Sequence, residues 1–458
     1  MIMKKITGLG ILIISYILLN ACNSVKDKQD YPDQLTMVSL ERPRPAGQSH
    51  VLKLATDPIP VVRVAFIGVG NRGYAAVRRY VNLEDVEILA LCDLNGEMVK
   101  RSQQFLTGKN LPLADEYVGE DAWKEVCERD DIDLVYICTD WLSHTPIAVY
   151  AMEQGKHVAI EVPAATTIDE CWQLVDTAEK TRRHCMMLEN CCYDFFELNT
   201  LNMAQKGLFG EIVHGEGAYI HDLRSQLDSQ RSWRTQFYED YNGNPYPTHG
   251  FGPVCQVMNI HRGDKMNYLV SVSSDQFGIT AYLKDKFGES SPEAAKNYEI
   301  GDMNTTIIKT EKGKTIMVQH DVTSPRPYSR LHTISGTKGF AQKYPVEGIA
   351  LDPESHQFMA KEEYDQLMEE YKHPFIQEIG EVAKRVGGHG GMDFIMDYRL
   401  IYCLKNGLPL DQDVYDAAEW SSLVELSRIS VQNGGTPVKI PDFTRGDWNQ
   451  LKGLTFSY

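Results

Sequence analysis

Val61-Val62-Arg63-Val64-Ala65-Phe66-Ile67-Gly68-Val69-Gly70-Asn71-Arg72-Gly73-Tyr74-Ala75-Ala76-Val77 is the stretch that decides the fold. Its first seven residues are apolar and β-branched around a single Arg63, the pattern of a buried strand. Gly68, Gly70 and Gly73 follow in the spacing GxGxxG, and Tyr74 onward reads as a helix start. In strand–turn–helix context the first glycine permits a tight turn and the second lets backbone approach a pyrophosphate. The third lets helix pack on strand, and the helix N-terminus faces the anion. A second strand, Val86-Glu87-Ile88-Leu89-Ala90-Leu91-Cys92, ends in Asp93, twenty residues past Gly73. A carboxylate there takes ribose hydroxyls and repels a 2′-phosphate, so the spacing predicts a dinucleotide site that prefers NAD to NADP.

The α/β rhythm continues outward from this point. Strands are predicted at 133–139, 157–160 and 185–188, with a helix at 147–154 closed by Gly155. Ligands of an open parallel sheet bind at the carboxyl ends of its strands. Asn71, Arg72, Asp93, Trp141, His144, Glu161 and Asn190 all fall at such ends. After Asn190 the alternation stops. A helix at 194–206 precedes strands at 211–220, 268–274, 305–310, 315–322 and 331–335, followed by helices at 361–386, 392–406 and 414–432. The expected architecture is α/β plus α+β: an N-terminal Rossmann doubly wound parallel sheet at 59–190, then 191–458 with a large open, mainly antiparallel sheet and packed helices.

The chain has 458 residues, with 46 Lys and Arg against 63 Asp and Glu, a formal net charge of −17. That balance excludes a nucleic-acid backbone as a natural partner. Residues 1–21 have the order of an export signal: Lys4-Lys5, an apolar segment from Ile6 to Leu19, then Asn20-Ala21 before Cys22. The apolar segment is short for a span that needs about 20 residues. Leu19-Asn20-Ala21-Cys22 resembles a bacterial lipoprotein box, which implies cleavage before Cys22, its lipidation, and an exported, membrane-anchored protein. Residues 22–58, polar and Pro-containing with Glu41-Arg42-Pro43-Arg44-Pro45, read as a tether. The ten cysteines include no CxxC pair, and Cys92 and Cys138 end strand-like runs, so buried free thiols and no metal centre are expected.

A polar, aromatic stretch lies between the later strands: Tyr219, His221, Trp233-Arg234, Asn242-Gly243-Asn244-Pro245-Tyr246-Pro247-Thr248-His249-Gly250, and further on Tyr328. Aromatic faces set against Arg and Asn donors suit a sugar, while internal packing of a large loop accounts for the same composition. Gly68 to Gly73, the Thr139–His144 loop, Glu161-Val162-Pro163 and Glu189-Asn190 resemble the Gfo/Idh/MocA oxidoreductases. Most of those carry Glu-Lys-Pro, with the lysine near the reacting hydroxyl, where this chain has Val162. With Glu161 to Ala165, Met186 to Asn190, Trp233-Arg234, Asn242 to Val254 and His389 to Asp393, the chain is similar to glycoside hydrolase family 109. That family hydrolyses α-N-acetylgalactosaminides with an NAD that is not consumed.

The resemblance implies that Asn71, Arg72, Asp93, Trp141, Leu142, Ser143, His144, Glu161, Val162 and Asn190 contact NAD, beside the three glycines. It implies that Tyr219, Arg234, Tyr246, Pro247, Thr248, His249 and Tyr328 contact a terminal N-acetylgalactosamine. The expected chemistry is transient oxidation at C3, elimination across C2–C1, water addition and re-reduction. His249 and Tyr246 serve the 3-hydroxyl, and Tyr328 serves C2. Glu161 also reads as a strand-end cap, His144 as a loop residue and His389 as part of a Gly-rich turn. A sugar dehydrogenase and a non-catalytic sugar-binding lipoprotein are the other readings. A homo-oligomer is compatible with all three.

Overall fold

The computed structural model describes residues 40–227 and 233–458. The export signal and Cys22 lie outside the described residues. The first domain alternates β1 (Val62–Ile67), α1 (Asn71–Tyr80), β2 (Val86–Asp93), α2 (Gly96–Gly108), β3 (Asp115–Val118), α3 (Ala122–Cys127), β4 (Leu134–Ile137), α4 (Trp141–Glu153), β5 (His157–Ile160), α5 (Ile168–Thr181) and β6 (Cys185–Met187). These form one parallel sheet in the order β3-β2-β1-β4-β5-β6. The reversal between β1 and β4 opens a crevice at their carboxyl ends. β1, β4 and β5 are buried on both faces, which is why they read as continuous apolar runs.

The second domain begins with α6 (Phe195–Gln205) and β7 (Ile212–Ile220), followed by α7 (Arg224–Leu227), α8 (Trp233–Asp240), α9 (Thr248–Met258), β8 (Met266–Ser273) and α10 (Gly278–Phe287). Then come β9 (Asn304–Thr310), β10 (Thr315–Asp321), β11 (Ser329–Gly336), β12 (Gly339–Gln342) and β13 (Gly348–Leu351). The chain closes with α11 (Lys361–Glu370), α12 (Pro374–Val386), α13 (Met392–Asn406), α14 (Val414–Gln432) and β14 (Val438–Lys439). Its eight strands run β13-β12-β11-β7-β10-β9-β8-β14, antiparallel except for the central β7–β10 pair. The expected helix at 361–386 is two helices. Pro374 has no N–H to continue the first and starts the second, with the His373 side chain accepting from Phe375 N.

α14 joins the two sheets. Asp413 and Asp416 cap it reciprocally, and it packs on α5, β6 and β8. Its buried serines accept backbone N–H groups from three separate segments: Ser421 from Ala164 (3.1 Å), Ser427 from Asn244 (2.8 Å) and Ser430 from Ser271 (2.9 Å). Each such bond removes an orphan donor that burial would otherwise penalise.

Residues 40–58 are a correction to the tether expected over 22–58. Val51 and Leu52 are buried, Trp172 donates to the Leu40 carbonyl (2.8 Å), and Arg44 pairs with Glu179 (3.0 Å) and Asp447 (2.8 Å). The charges that suggested a solvated linker have carboxylate partners far along the chain. Nine described cysteines are free, eight of them buried. Among the described residues no helix is long and apolar enough to cross a membrane.

Candidate active site

A cleft of about 610 Å³ opens at the carboxyl ends of β1, β2, β3 and β4, lined by Gly68, Gly70, Asn71, Arg72, Asp93, Leu142 and Ser143 among others. The three glycines play three different parts. Gly68 turns the chain at φ +84°, and a Cβ there would lie 2.6 Å from the Cys138 carbonyl oxygen. A Cβ on Gly73 would strike the Gly68 carbonyl oxygen at 1.9 Å, so α1 touches the turn only because Gly73 is bare. Gly70 has nothing within 4 Å on its Cβ side, leaving backbone open to a pyrophosphate. The Asp93 carboxylate accepts from Val69 N and Asn95 N, both at 2.8 Å, which fixes it at the cleft with lone pairs left for a diol. These residues fit NAD: an open anion cradle at a helix start, with an acid one strand over.

Arg72 lines the cleft but is not free in it. Its Nε meets Glu161 Oε1 at 2.5 Å and its Nη1 meets Asp393 Oδ2 at 2.8 Å. Asp393 also binds Asn190 Nδ2 at 2.5 Å and His389 Nδ1 at 3.0 Å. Arg72, Glu161, Asn190 and the start of α13 are thereby tied together behind the cleft. Burial pushes the Asp393 carboxyl up, but Arg72, the His389 hydrogen bond and Arg79 hold it well below the usual carboxylate range. His389 stands in a run of five positive-φ residues, 387–391, and its Nδ1 faces the Asp393 carboxylate.

His144 does not line the cleft. Its ring is buried, with Nδ1 2.8 Å from the Pro163 carbonyl and Nε2 3.2 Å from the Thr139 carbonyl. The first turn of α4 points it inward, and burial holds its pKa down. Direct side-chain contact with a cofactor is therefore replaced by a support role for the Thr139 and Pro163 loops. Val162 is buried as well, its carbonyl accepting from Trp141 Nε1 at 3.2 Å. Leu142 is exposed at the cleft mouth, and Ser143 Oγ donates to Asp140 at 2.7 Å.

Trp233 belongs to two neighbourhoods. It lines the cleft, and its ring meets Trp141 at 4.8 Å. Arg234 lies over Trp141, Trp233 and Tyr246, 5.1, 5.2 and 5.7 Å from their ring centres. Tyr246 reaches Tyr219 at 4.6 Å and His249 at 4.9 Å, and Tyr219 reaches Tyr328 at 6.5 Å. The expected sugar contacts Tyr219, Arg234, Tyr246, His249 and Tyr328 thus form one aromatic cluster beside the cleft. Pro247 and Thr248 are buried beneath it at the start of α9.

Glycines hold this cluster together. A Cβ on Gly250 would lie 2.0 Å from Ala218 N, and one on Gly217 would lie 2.1 Å from the Gly250 carbonyl oxygen. α9 therefore lies directly on β7, setting His249 beside Tyr219. Gly252 leaves room for Glu189, whose Cγ a Cβ would approach to 3.0 Å.

Glu189 and Arg330 were missed from the sequence. His249 Nδ1 lies 2.8 and 3.0 Å from the two Glu189 oxygens, and its Nε2 lies 3.3 Å from the Tyr246 hydroxyl. Burial pushes the Glu189 carboxyl up, but His249 and the Cys191 N–H (3.0 Å) hold it below its ordinary value. Cys191 Sγ, the Glu189 carboxylate and the His249 ring lie within 4.8 Å of one another. The carboxylate and Nδ1 are committed to each other, and burial keeps the proton on the thiol. Arg330 donates to the Tyr328 hydroxyl at 3.3 Å and is anchored on Asp194 (2.5 Å) and Glu197 (2.7 Å). Glu189 had a legible signal, its place at the end of β6. Arg330 had none, since its anchors lie on α6 and just before it.

A family model described as "Glycosyl hydrolase 109, C-terminal domain" matches residues 193–450, and one described as "Oxidoreductase family, NAD-binding Rossmann fold" matches residues 62–189. The Alpha-N-acetylgalactosaminidase of Bacteroides fragilis is 60% identical over 411 residues, 88% of this chain and 97% of that protein. The chain belongs to glycosyl hydrolase family 109. A family 109 protein of Porphyromonas gingivalis is 52% identical over 433 residues, 91% of this chain and 92% of its own. Among solved structures, levoglucosan dehydrogenase with NADH and levoglucosan shares the fold at TM-score 0.65 and 17% identity, covering 83% of this chain and 99% of its own. This family 109 chain is accordingly a glycoside hydrolase that carries an NAD-binding Rossmann domain.

Proposed function

We propose that the chain cleaves terminal α-N-acetylgalactosamine residues from glycosides, with NAD retained between turnovers. The observation that carries this reading is the continuity of the NAD cleft with the Tyr219–Tyr246–His249–Tyr328 cluster through Trp233 and Trp141. The 60% identity to the Bacteroides fragilis enzyme supports the sugar assignment.

Ordinary glycosidases flank the bond with two available carboxyl groups. Here Glu161 is engaged by Arg72 and Glu189 by His249, so neither is placed as a free acid or base for C1. When bound, NAD supplies a reversible two-electron acceptor that makes C3 of the sugar a ketone while the C1–O bond breaks and water adds.

The chain's own residues supply the proton transfers and the positioning. His249 Nε2 faces the Tyr246 hydroxyl and takes the proton of the 3-hydroxyl, returning it later. Tyr328 stands across the Tyr219 ring and serves C2, where a proton must leave for the leaving group to depart. Desolvation of the hydroxyl end raises the pKa of the Tyr328 phenol although its side chain is partly exposed, and the Arg330 charge opposes that rise. A base role at Tyr328 therefore depends on Arg330. Arg234 and the tyrosine faces hold the sugar ring, with Arg234 stacked over the buried Trp141. The net reaction is glycoside plus water to free sugar plus alcohol. Val162, buried beneath Trp141, offers no amine for the lysine-assisted dehydrogenase route. Attachment to a membrane through Cys22 completes the proposal and rests on the Lys4–Cys22 sequence.

The test is cleavage of p-nitrophenyl α-N-acetylgalactosaminide in deuterium oxide by purified protein with no NAD added. Release of p-nitrophenol with deuterium at C2 is expected. No release, with NADH accumulating when sugar and NAD are supplied, would replace the hydrolase by a dehydrogenase.

A further inference from the structure

Glu189 is a fully buried carboxylate, and among the described residues its salt-bridge partner is His249. The pair is built by close packing. Glu189 is held at the end of β6 by the Cys191 N–H on its own side chain and by Gln412 Nε2 on its carbonyl (3.1 Å). The missing side chain at Gly252 admits it against α9. An ionised carboxylate this deep is costly unless a cation or strong donor faces it. Both its oxygens face Nδ1, so Nδ1 must carry the proton. The Nε2 lone pair then points at the Tyr246 hydroxyl and the aromatic cluster.

We propose that Glu189 is the positioning residue of the proton transfer at His249: it fixes the Nδ1–H tautomer, aims Nε2 at the sugar, and holds the imidazolium until the proton is given back. This deepens the reading of His249 as the base for the 3-hydroxyl and rests on it. In the step, the O–H bond of the sugar breaks and an Nε2–H bond forms. The proton stays on the imidazole, and Glu189 remains ionised throughout. A glutamine at this position can offer an N–H to Nδ1 and so favours the opposite tautomer, with Nε2 protonated and unable to accept.

The experiment compares E189Q, E189D and H249A with the parent, alongside ¹⁵N NMR of the histidine rings at neutral pH. In the parent, the His249 signals should show a proton on Nδ1. In folded E189Q the proton should move to Nε2, and kcat should fall at least about 100-fold with KM changed less than about threefold. The kcat/KM–pH profile should change as the imidazolium loses its counter-charge. E189D, which keeps the charge, should recover part of kcat and most of the pH profile. Folded E189Q with the parent's pH profile and tautomer overturns the proposal while leaving His249 as the base. H249A with undiminished turnover removes the base reading itself, and Glu189's role with it. If E189Q does not fold, the parent decides alone: a proton on Nε2 instead of Nδ1 overturns the proposal.

Discussion

Gly250→Ala tests how the site is positioned, because it adds one methyl group far from the NAD cleft. That Cβ would lie 2.0 Å from Ala218 N, 2.6 Å from the Gly217 carbonyl carbon and 2.7 Å from the Ala218 carbonyl oxygen. All three are backbone atoms of β7, a central strand paired on both sides, so none can rotate away. Non-bonded heavy atoms are comfortable near about 3.5 Å, so α9 must lift from β7 by more than about 1 Å. Overpacking of this kind costs about 1–3 kcal/mol. His249, the neighbouring residue, moves with the helix, and a displacement of about 1 Å in a reacting group costs about 100-fold in rate. Turnover of the p-nitrophenyl substrate should therefore fall about 100-fold, while NAD affinity, read by fluorescence titration, changes less than about threefold. Gly108→Ala in α2, where a Cβ meets nothing within 4 Å, is the control and should leave both unchanged. Full turnover in G250A, or equal loss of NAD binding and turnover, would refute the account of α9 as the element that sets His249.

Other consequences are as direct. Asp93→Asn removes the charge facing the ribose, and NAD should bind about tenfold more weakly while discrimination against NADP narrows, as titration of both nucleotides will show. Arg330→Met deprives the Tyr328 hydroxyl of its donor at 3.3 Å and removes the Arg330 partner of Glu197, whose remaining ion-pair partner among the described residues is Lys343. Deuterium incorporation at C2 should slow by more than about tenfold, and the melting temperature should drop by several degrees. Burial and Arg183 lower the His157 pKa to about 4, burial, His157 and Arg183 lower that of His184 to about 3, and His157 Nδ1 accepts the His184 N–H at 3.1 Å. Because these folded-state values lie below the unfolded one, the unfolded chain binds the extra protons first. Stability is full above pH 6.5 and falls toward pH 4, by up to about 1.4 kcal/mol per pH unit for each histidine. Urea midpoints at pH 7 and pH 5 should differ less in His157→Gln than in the parent.

The residues that local backbone physics governs were legible in the sequence. Gly68, Gly70 and Gly73 follow from a turn, an open face and a helix contact within six residues. Asp93 follows from one further strand; Trp141, Glu161 and Asn190 fall at strand ends as read, but none of them lines the cleft. The aromatic and Arg-bearing strings at Tyr219, Arg234, Tyr246, His249 and Tyr328 were read as suiting a sugar or as internal packing, and the structure brings these five side chains together while burying Pro247 and Thr248 beneath them. Tertiary structure alone decided which charges meet. Glu189 and His249 are 60 residues apart, Arg72 and Asp393 321 apart, and Arg44 and Asp447 403 apart. A strand or a tight turn is specified by a few consecutive residues. A buried ion pair is specified by which helix lies on which sheet, and here that is set by the absence of side chains at Gly217, Gly250 and Gly252, whose spacing carries no trace of the partner they admit.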